Sequence, residues 1–118
     1  TNNQKESINT TANHLFVKSD YKLIRIELAE IKYIESQHEY IKIHLVNSNP
    51  VMTQMSLKNI EDQLPSNQFM RVHRSYIVNL AKISIIERNR IVFEGKIYIP
   101  ISGQYKEKFQ EFIEGNYI

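Results

Sequence analysis

The amino-acid sequence predicts an all-β domain, largely antiparallel, that carries two short helices. Three observations predict it. Apolar and polar residues alternate with a period of two in many short runs, as in "KLIRIEL" and "YIKIHL". Those runs follow one another closely, separated by turn formers such as "SD", "RNR" and "EG". Helical spacing of apolar residues occurs in only two places, which excludes the alternation of strand and helix that a parallel sheet needs.

The opening "TNNQKESINTTAN" is polar, has no apolar period and does not begin with Met. Residues 1–13 are expected to be a disordered lead or interdomain linker, and residues 14–118 the domain. From His14, "LFVKSDYKLIRIEL" predicts a hairpin: Ser19 and Asp20 supply the turn, and Ile24, Ile26 and Leu28 alternate with Arg25 and Glu27. "IKYIES" is a short strand and "QHEY" a loop. "YIKIHL" is a strand with Ile41, Ile43 and Leu45 inward and Lys42 and His44 outward. "VNSNP" turns the chain into a strand at "VMTQM". In "SLKNIEDQLP", Ser56 is a candidate N-cap, Leu57, Ile60 and Leu64 have helical spacing, and Pro65 stops the helix. Four further strands are expected at "YIVNL", "KISIIE", "IVFE" and "KIYIPI". Ser102 is then placed to cap a last helix whose apolar stripe is Tyr105, Phe109, Phe112 and Ile113, with Gly115 ending it. The stripes suffice for one core, and no heptad pattern predicts dimerisation, so the domain is expected to be a monomer in isolation.

Composition excludes several classes of function. There is no cysteine, hence no disulfide framework and no thiolate nucleophile, which suits a reducing cytoplasm. No apolar run approaches the roughly 20 residues that span a bilayer, and no signal peptide is visible. The four histidines are scattered, only Glu35 and His38 form a local pair, and no metal is expected. Three glycines make no phosphate cradle, and a triad built on Ser75 and His73 lacks a nucleophile elbow. Neither enzymatic activity nor a cofactor is expected.

Net charge is only +2, yet its distribution is uneven: Arg71, Arg74, Lys82, Arg88 and Arg90 face a single acid, Glu87, between positions 71 and 90. In "FMRVHRSYIVNL", Arg71, His73 and Arg74 stand within four residues, directly before a β-branched run. Three cationic groups so close repel one another unless an anion lies between them. A guanidinium such as that of Arg74, held at the mouth of a strand, suits phosphate or guanine O6 and N7; a solvated basic loop accounts for the same residue types. His38 and Glu39 in the "QHEY" loop, and Gln104 at the start of the last helix, have side chains able to bond base edges, and a free helix N-terminus favours phosphate.

The register of "FMRVHRSYIVNLAKI", with its aromatic, Arg, His, Ser and Asn positions, resembles the signature of the LytTR DNA-binding domain. The resemblance runs on through "IKYIESQHEYIKIHL", "MSLKNIEDQLP" and "IPISGQYKEKF" in the same order, from about Phe16 to Phe112. It implies an elongated succession of short antiparallel sheets with a small helix, the effector end of a bacterial two-component response regulator, and regulation of transcription by binding double-stranded DNA at direct repeats. Loops would enter successive major grooves. Carried over by position, the base-reaching places are His38 or Glu39, Arg74, and the neighbourhood of Gln104, with Arg71, Arg88 and Arg90 touching phosphates or shaping the field; His73 and Lys106 lie in the same motifs. A receiver domain upstream and pairing of two copies on DNA are further implications. Gly103 and Gln104 stand where the family often has an Arg, and Glu39 is an acid able to accept from cytosine N4. A protein-interaction module, docking through exposed strand edges and the basic loop, is the rival expectation.

Overall fold

The computed structural model describes residues 13–116. Its elements are β1 (His14–Ser19), β2 (Lys22–Glu27), β3 (Ile31–Gln37), β4 (Tyr40–Leu45), β5 (Val51–Gln54), α1 (Leu57–Gln63), β6 (Phe69–His73), β7 (Tyr76–Asn79), β8 (Ile85–Glu87), β9 (Arg90–Phe93), β10 (Ile97–Pro100) and α2 (Gly103–Asn116). Single turns of 3-10 helix at Leu28–Glu30 and Leu80–Lys82 join β2 to β3 and lead out of β7. Every strand pair is antiparallel, in three sheets: β1-β2, β5-β4-β3-β7-β6 and β10-β9-β8. The expected all-β architecture with two helices is the one observed.

Local chemistry explains the pieces. The β1–β2 and β8–β9 hairpins close on two residues with positive φ, Asp20 and Tyr21, and Arg88 and Asn89. Positive φ at both positions is the turn geometry that matches strand twist, and it suits Asp and Asn better than Tyr or Arg. Ser56 caps α1 as expected, its hydroxyl accepting from the Asn59 N–H at 3.0 Å.

Two apolar clusters, not one, hold the layers together. The five-stranded sheet is the middle layer. Ile34, Ile41, Ile43, Phe69 and Ile77 on one face pack against the β1–β2 hairpin and α1 through Val17, Ile26, Leu57 and Ile60. On the other, Tyr33, Met70, Val72 and Val78 pack against the three-stranded sheet and α2 through Ile91, Phe93, Ile99 and Phe109. A β-bulge in β3 between Ile31 and Tyr33 lets Ile31 and Ile34 share one face while Tyr33 turns to the other.

Several expectations are corrected. The stripes make two cores because both faces of the central sheet are covered. His44 is therefore not on a wet face: its ring stacks on Tyr33 at 4.2 Å and its side chain is 17% exposed. Phe69–His73 is a strand in its own right, so "FMRVHRSYIVNL" is a hairpin. The "KISIIE" strand shrinks to Ile85–Glu87, since the 3-10 turn takes up Leu80–Lys82. Helix α2 runs on through Gly115 to Asn116. The expected lead lies, except for Asn13, outside the described residues; the Asn13 carbonyl accepts from the Leu28 N–H at 2.8 Å.

Candidate nucleic-acid interface

Three backbone hydrogen bonds gather the sequence-predicted residues at one end of the molecule. Ser36 N–H donates to the Ser75 carbonyl at 2.9 Å, setting the β3–β4 turn beside the β6–β7 turn. Ser102 N–H donates to the Val72 carbonyl at 3.0 Å, which brings the start of α2 to the same end of β6. Ile101 N–H donates to the Asn89 carbonyl at 3.2 Å, and so places the β8–β9 turn next to the start of α2. The end thus carries His38 and Glu39, then Arg74, then Gln104, and Arg88 beyond. The first two tips are separated by two strand spacings, ~10 Å at about 4.8 Å each.

The side chains at this end differ in how freely they stand. His38 occupies the first position of the β3–β4 turn with φ 58, a conformation His tolerates better than most residues, and it is exposed. Glu39 beside it is tied to β5: its carboxylate accepts from Gln54 Nε2 at 3.4 Å and its carbonyl accepts from the Met55 N–H at 3.2 Å. Arg74 is exposed at the tip of the β6–β7 hairpin, so its charge stays in water instead of pointing into either core. Arg88, Gln104 and Lys106 are exposed as well. Among the described residues, the side chains of His38, Arg74, Arg88, Gln104 and Lys106 form no hydrogen bond or ion pair.

The other basic residues of the predicted set are engaged. His73 accepts the Ser75 N–H on Nδ1 at 3.1 Å and sets its ring edge-on to Tyr76 at 5.6 Å. An accepting Nδ1 fixes the proton of the neutral ring on Nε2. Arg90 lies 4.6 Å over the Tyr98 ring and 3.7 Å from Glu87, with its buried Nε unpartnered. Arg71 is only 18% exposed; its guanidinium is shared between Glu61 at 3.2 Å and the carbonyls of His73 and Arg74 at 3.2 and 2.6 Å.

A polar ladder backs these tips. The Glu35 carboxylate accepts from His44 Nε2 at 3.0 Å, and Glu35 pairs in register with both Lys42 and Tyr76. Burial lowers the His44 pKa from its ordinary value, outweighing the opposing pull of Glu35. Burial, reinforced by the Glu35 charge, pushes the Tyr33 phenol up to about 12 and raises Tyr76 in the same direction. The structural roles of two residues escaped sequence reasoning. Glu61 sits in α1 with no local sign of its link to Arg71, ten positions on in the chain. Asn79 is fully buried, and its side chain donates to the carbonyls of Leu28 and Ile31 at 3.3 and 2.9 Å and accepts from the Ala81 N–H at 3.0 Å. The Asn position of the signature, and a polar residue between apolar ones in "YIVNL", were the available signals. Among the described residues no group of three or more acidic and His side chains could hold a metal ion.

Comparison with known proteins identifies the family and the fold. The family model described as the LytTr DNA-binding domain matches residues 21–114. The chain is 33% identical over 79 residues to an uncharacterized response regulatory protein of Vibrio cholerae, a match that covers 64% of this chain and 29% of that protein. It is 35% identical over 66 residues to the sensory transduction protein LytT of Oceanobacillus iheyensis, covering 56% and 27%. The CO-responsive transcriptional regulator RcoM of Rhodospirillum rubrum is 34% identical over 58 residues, covering 49% and 24%. These matched stretches span less than a third of the relatives' lengths. A solved LytTr DNA-binding domain from Bacillus cereus superposes with a TM-score of 0.72 at 21% identity, over 86% of this chain and 97% of that one, so the fold is shared. A family match over most of the chain, the same succession of antiparallel sheets and a row of free polar tips at one end converge on one assignment: the chain belongs to the LytTr DNA-binding domain family.

Proposed function

We propose that the end bearing His38, Arg74, Arg88 and Gln104 is the DNA-reading surface, and that it reads bases with hairpin tips in place of a recognition helix. The observation that supports this most directly is the state of Arg74: a free guanidinium on a tip whose backbone is tied down on both sides. Such a fork suits the paired acceptors O6 and N7 of guanine. The His38 and Arg74 tips, ~10 Å apart by strand spacing, fit together in one major groove about 12 Å wide. The longest dimension of the molecule, 40 Å, compares with a helical repeat of about 34 Å, so outlying elements can reach a neighbouring groove. Arg88 and Lys106, free and cationic, serve phosphates, and so does the exposed start of α2. Direct-repeat sites, an upstream receiver domain, and a monomer that pairs only on DNA complete this reading.

The test is binding of the 118-residue chain to duplexes selected from a random library. Arg74→Ala costs roughly 1 to 3 kcal/mol on the best site and flattens preference at one base-pair position, because a bidentate donor is lost only where the right base stands. Affinity also falls with salt at a log-log slope near -0.9 per neutralised phosphate. A flat salt response would favour docking to a protein, and a uniform loss on all duplexes would leave Arg74 a phosphate contact only.

A further inference from the structure

Arg71 carries a formal positive charge at the centre of the basic cluster, yet it is placed to act on the protein. Its side chain lies between α1 and α2, with Glu61 at 3.2 Å on one side and the Tyr105 ring 6.0 Å away on the other. Nε donates to the His73 carbonyl and Nη2 to the Arg74 carbonyl. These two carbonyls belong to the last residue of β6 and the first residue of the turn. The β6–β7 register shifts between Arg71 and His73, a bulge that takes backbone groups at this tip out of the regular ladder. The His73 contact is partly buried, where a carbonyl without a partner is costly, and a planar guanidinium with five donors can serve it and the exposed Arg74 carbonyl at once. The ammonium of Lys, a point charge, has no such fixed fork.

We propose that Arg71 is a positioning residue for base readout: its fork, held from behind by Glu61, fixes the backbone from which Arg74 projects. The inference rests on the reading of Arg74 as the base-reading side chain. Three groups clamp the tip from outside the β6–β7 ladder. Arg71 holds the Arg74 carbonyl, His73 Nδ1 holds the Ser75 N–H, and Ser36 N–H holds the Ser75 carbonyl. A side chain projecting from a fixed backbone loses less freedom when it meets its base, so the clamp contributes to affinity without touching DNA. The Glu61 carboxylate also offsets the Arg71 charge, which removes it from the field that phosphates meet.

The experiment compares Arg71→Lys, Glu61→Gln, Arg74→Ala and the double variant Arg71→Lys with Arg74→Ala in the 118-residue chain. Each binds the selected duplex and its single base-pair substitutions across a salt series, after melting shows that the chain is folded. Arg71→Lys is expected to weaken the best duplex about tenfold and to flatten preference at the same base pair as Arg74→Ala, with the salt slope unchanged. In the Arg74→Ala background it costs nothing more. Glu61→Gln, which removes the carboxylate behind the fork and leaves both arginines in place, shifts the profile in the same direction by less, and it decides the matter if Arg71→Lys does not fold. A uniform loss on all duplexes, with the preference profile intact, overturns the proposal and makes Arg71 a phosphate ligand; the salt slope does not decide this, because Lys keeps the charge. If Arg74→Ala flattens a position and neither Arg71→Lys nor Glu61→Gln does, the clamp fails and the base-reading role stands. If Arg74→Ala flattens nothing, both fail.

Discussion

Asn79 offers a way to separate the part of the family signature that builds the fold from the part that meets DNA. It lies at the end of β7 away from the tips, with no exposed surface, and replacing it with Ala strips three hydrogen bonds. They are not of equal weight. The Leu28 carbonyl keeps the Ile31 N–H as a partner, and Ala81 is exposed, so water can reach its N–H. The Ile31 carbonyl, in a residue with no exposed surface, loses the shortest bond to Asn79, at 2.9 Å. That loss costs about 2 kcal/mol, and the lost cap on the 3-10 turn adds about 1 kcal/mol. Against an unfolding entropy of about 2.1 cal/mol/K per residue, the ~3 kcal/mol total corresponds to a melting temperature lower by about 12 °C. Thermal unfolding followed by circular dichroism measures it, and at a temperature where the variant is folded its base preference should match that of the parent chain. A drop of under about 3 °C would show that water or a rotated side chain satisfies the Ile31 carbonyl, and would refute the hydrogen-bond accounting. A changed base preference would place Asn79 in recognition.

Two further outcomes follow from local chemistry. Ser56→Ala removes the acceptor of the Asn59 N–H and should lower stability by about 1 kcal/mol, read as a shift of the denaturant midpoint at constant slope; no shift would mean that water caps α1 equally well. The folded-state pKa of His44 is lowered below 6.5, so its neutral form is the one the fold prefers, and the associated stability is complete above pH 6.5 and is lost as pH falls toward the lower, folded value. The loss is at most about 1.4 kcal/mol per pH unit. Melting temperatures at pH 7.5 and 5.5 should therefore diverge more for the parent than for His44→Phe, which keeps the stack on Tyr33; a parent that gains stability on acidification would show that the Glu35 pair dominates instead.

The sequence by itself determined the local elements and the family. Period-two alternation gave the strands from β1 to β4, a Ser and a Pro bracketed α1, and the register of "FMRVHRSYIVNLAKI" carried the family resemblance, because turn chemistry, capping and strand periodicity act over a few residues. Phe69–His73 escaped as a strand since its bulge breaks the alternation and its cations imitate a loop. Only the tertiary structure decided which faces are wet: the same period-two pattern serves a strand covered on one side or, as at Tyr33 and His44, on both. It also decided which cations are free. Arg71 and Arg74 are alike in the sequence, and a carboxylate on a separate helix engages one while the other stands at a tip in solvent. The row from His38 to Arg88 exists because backbone hydrogen bonds such as Ser36 to Ser75 and Ser102 to Val72 join segments distant in the chain, and such pairings obey the packing of whole layers, which no local pattern encodes.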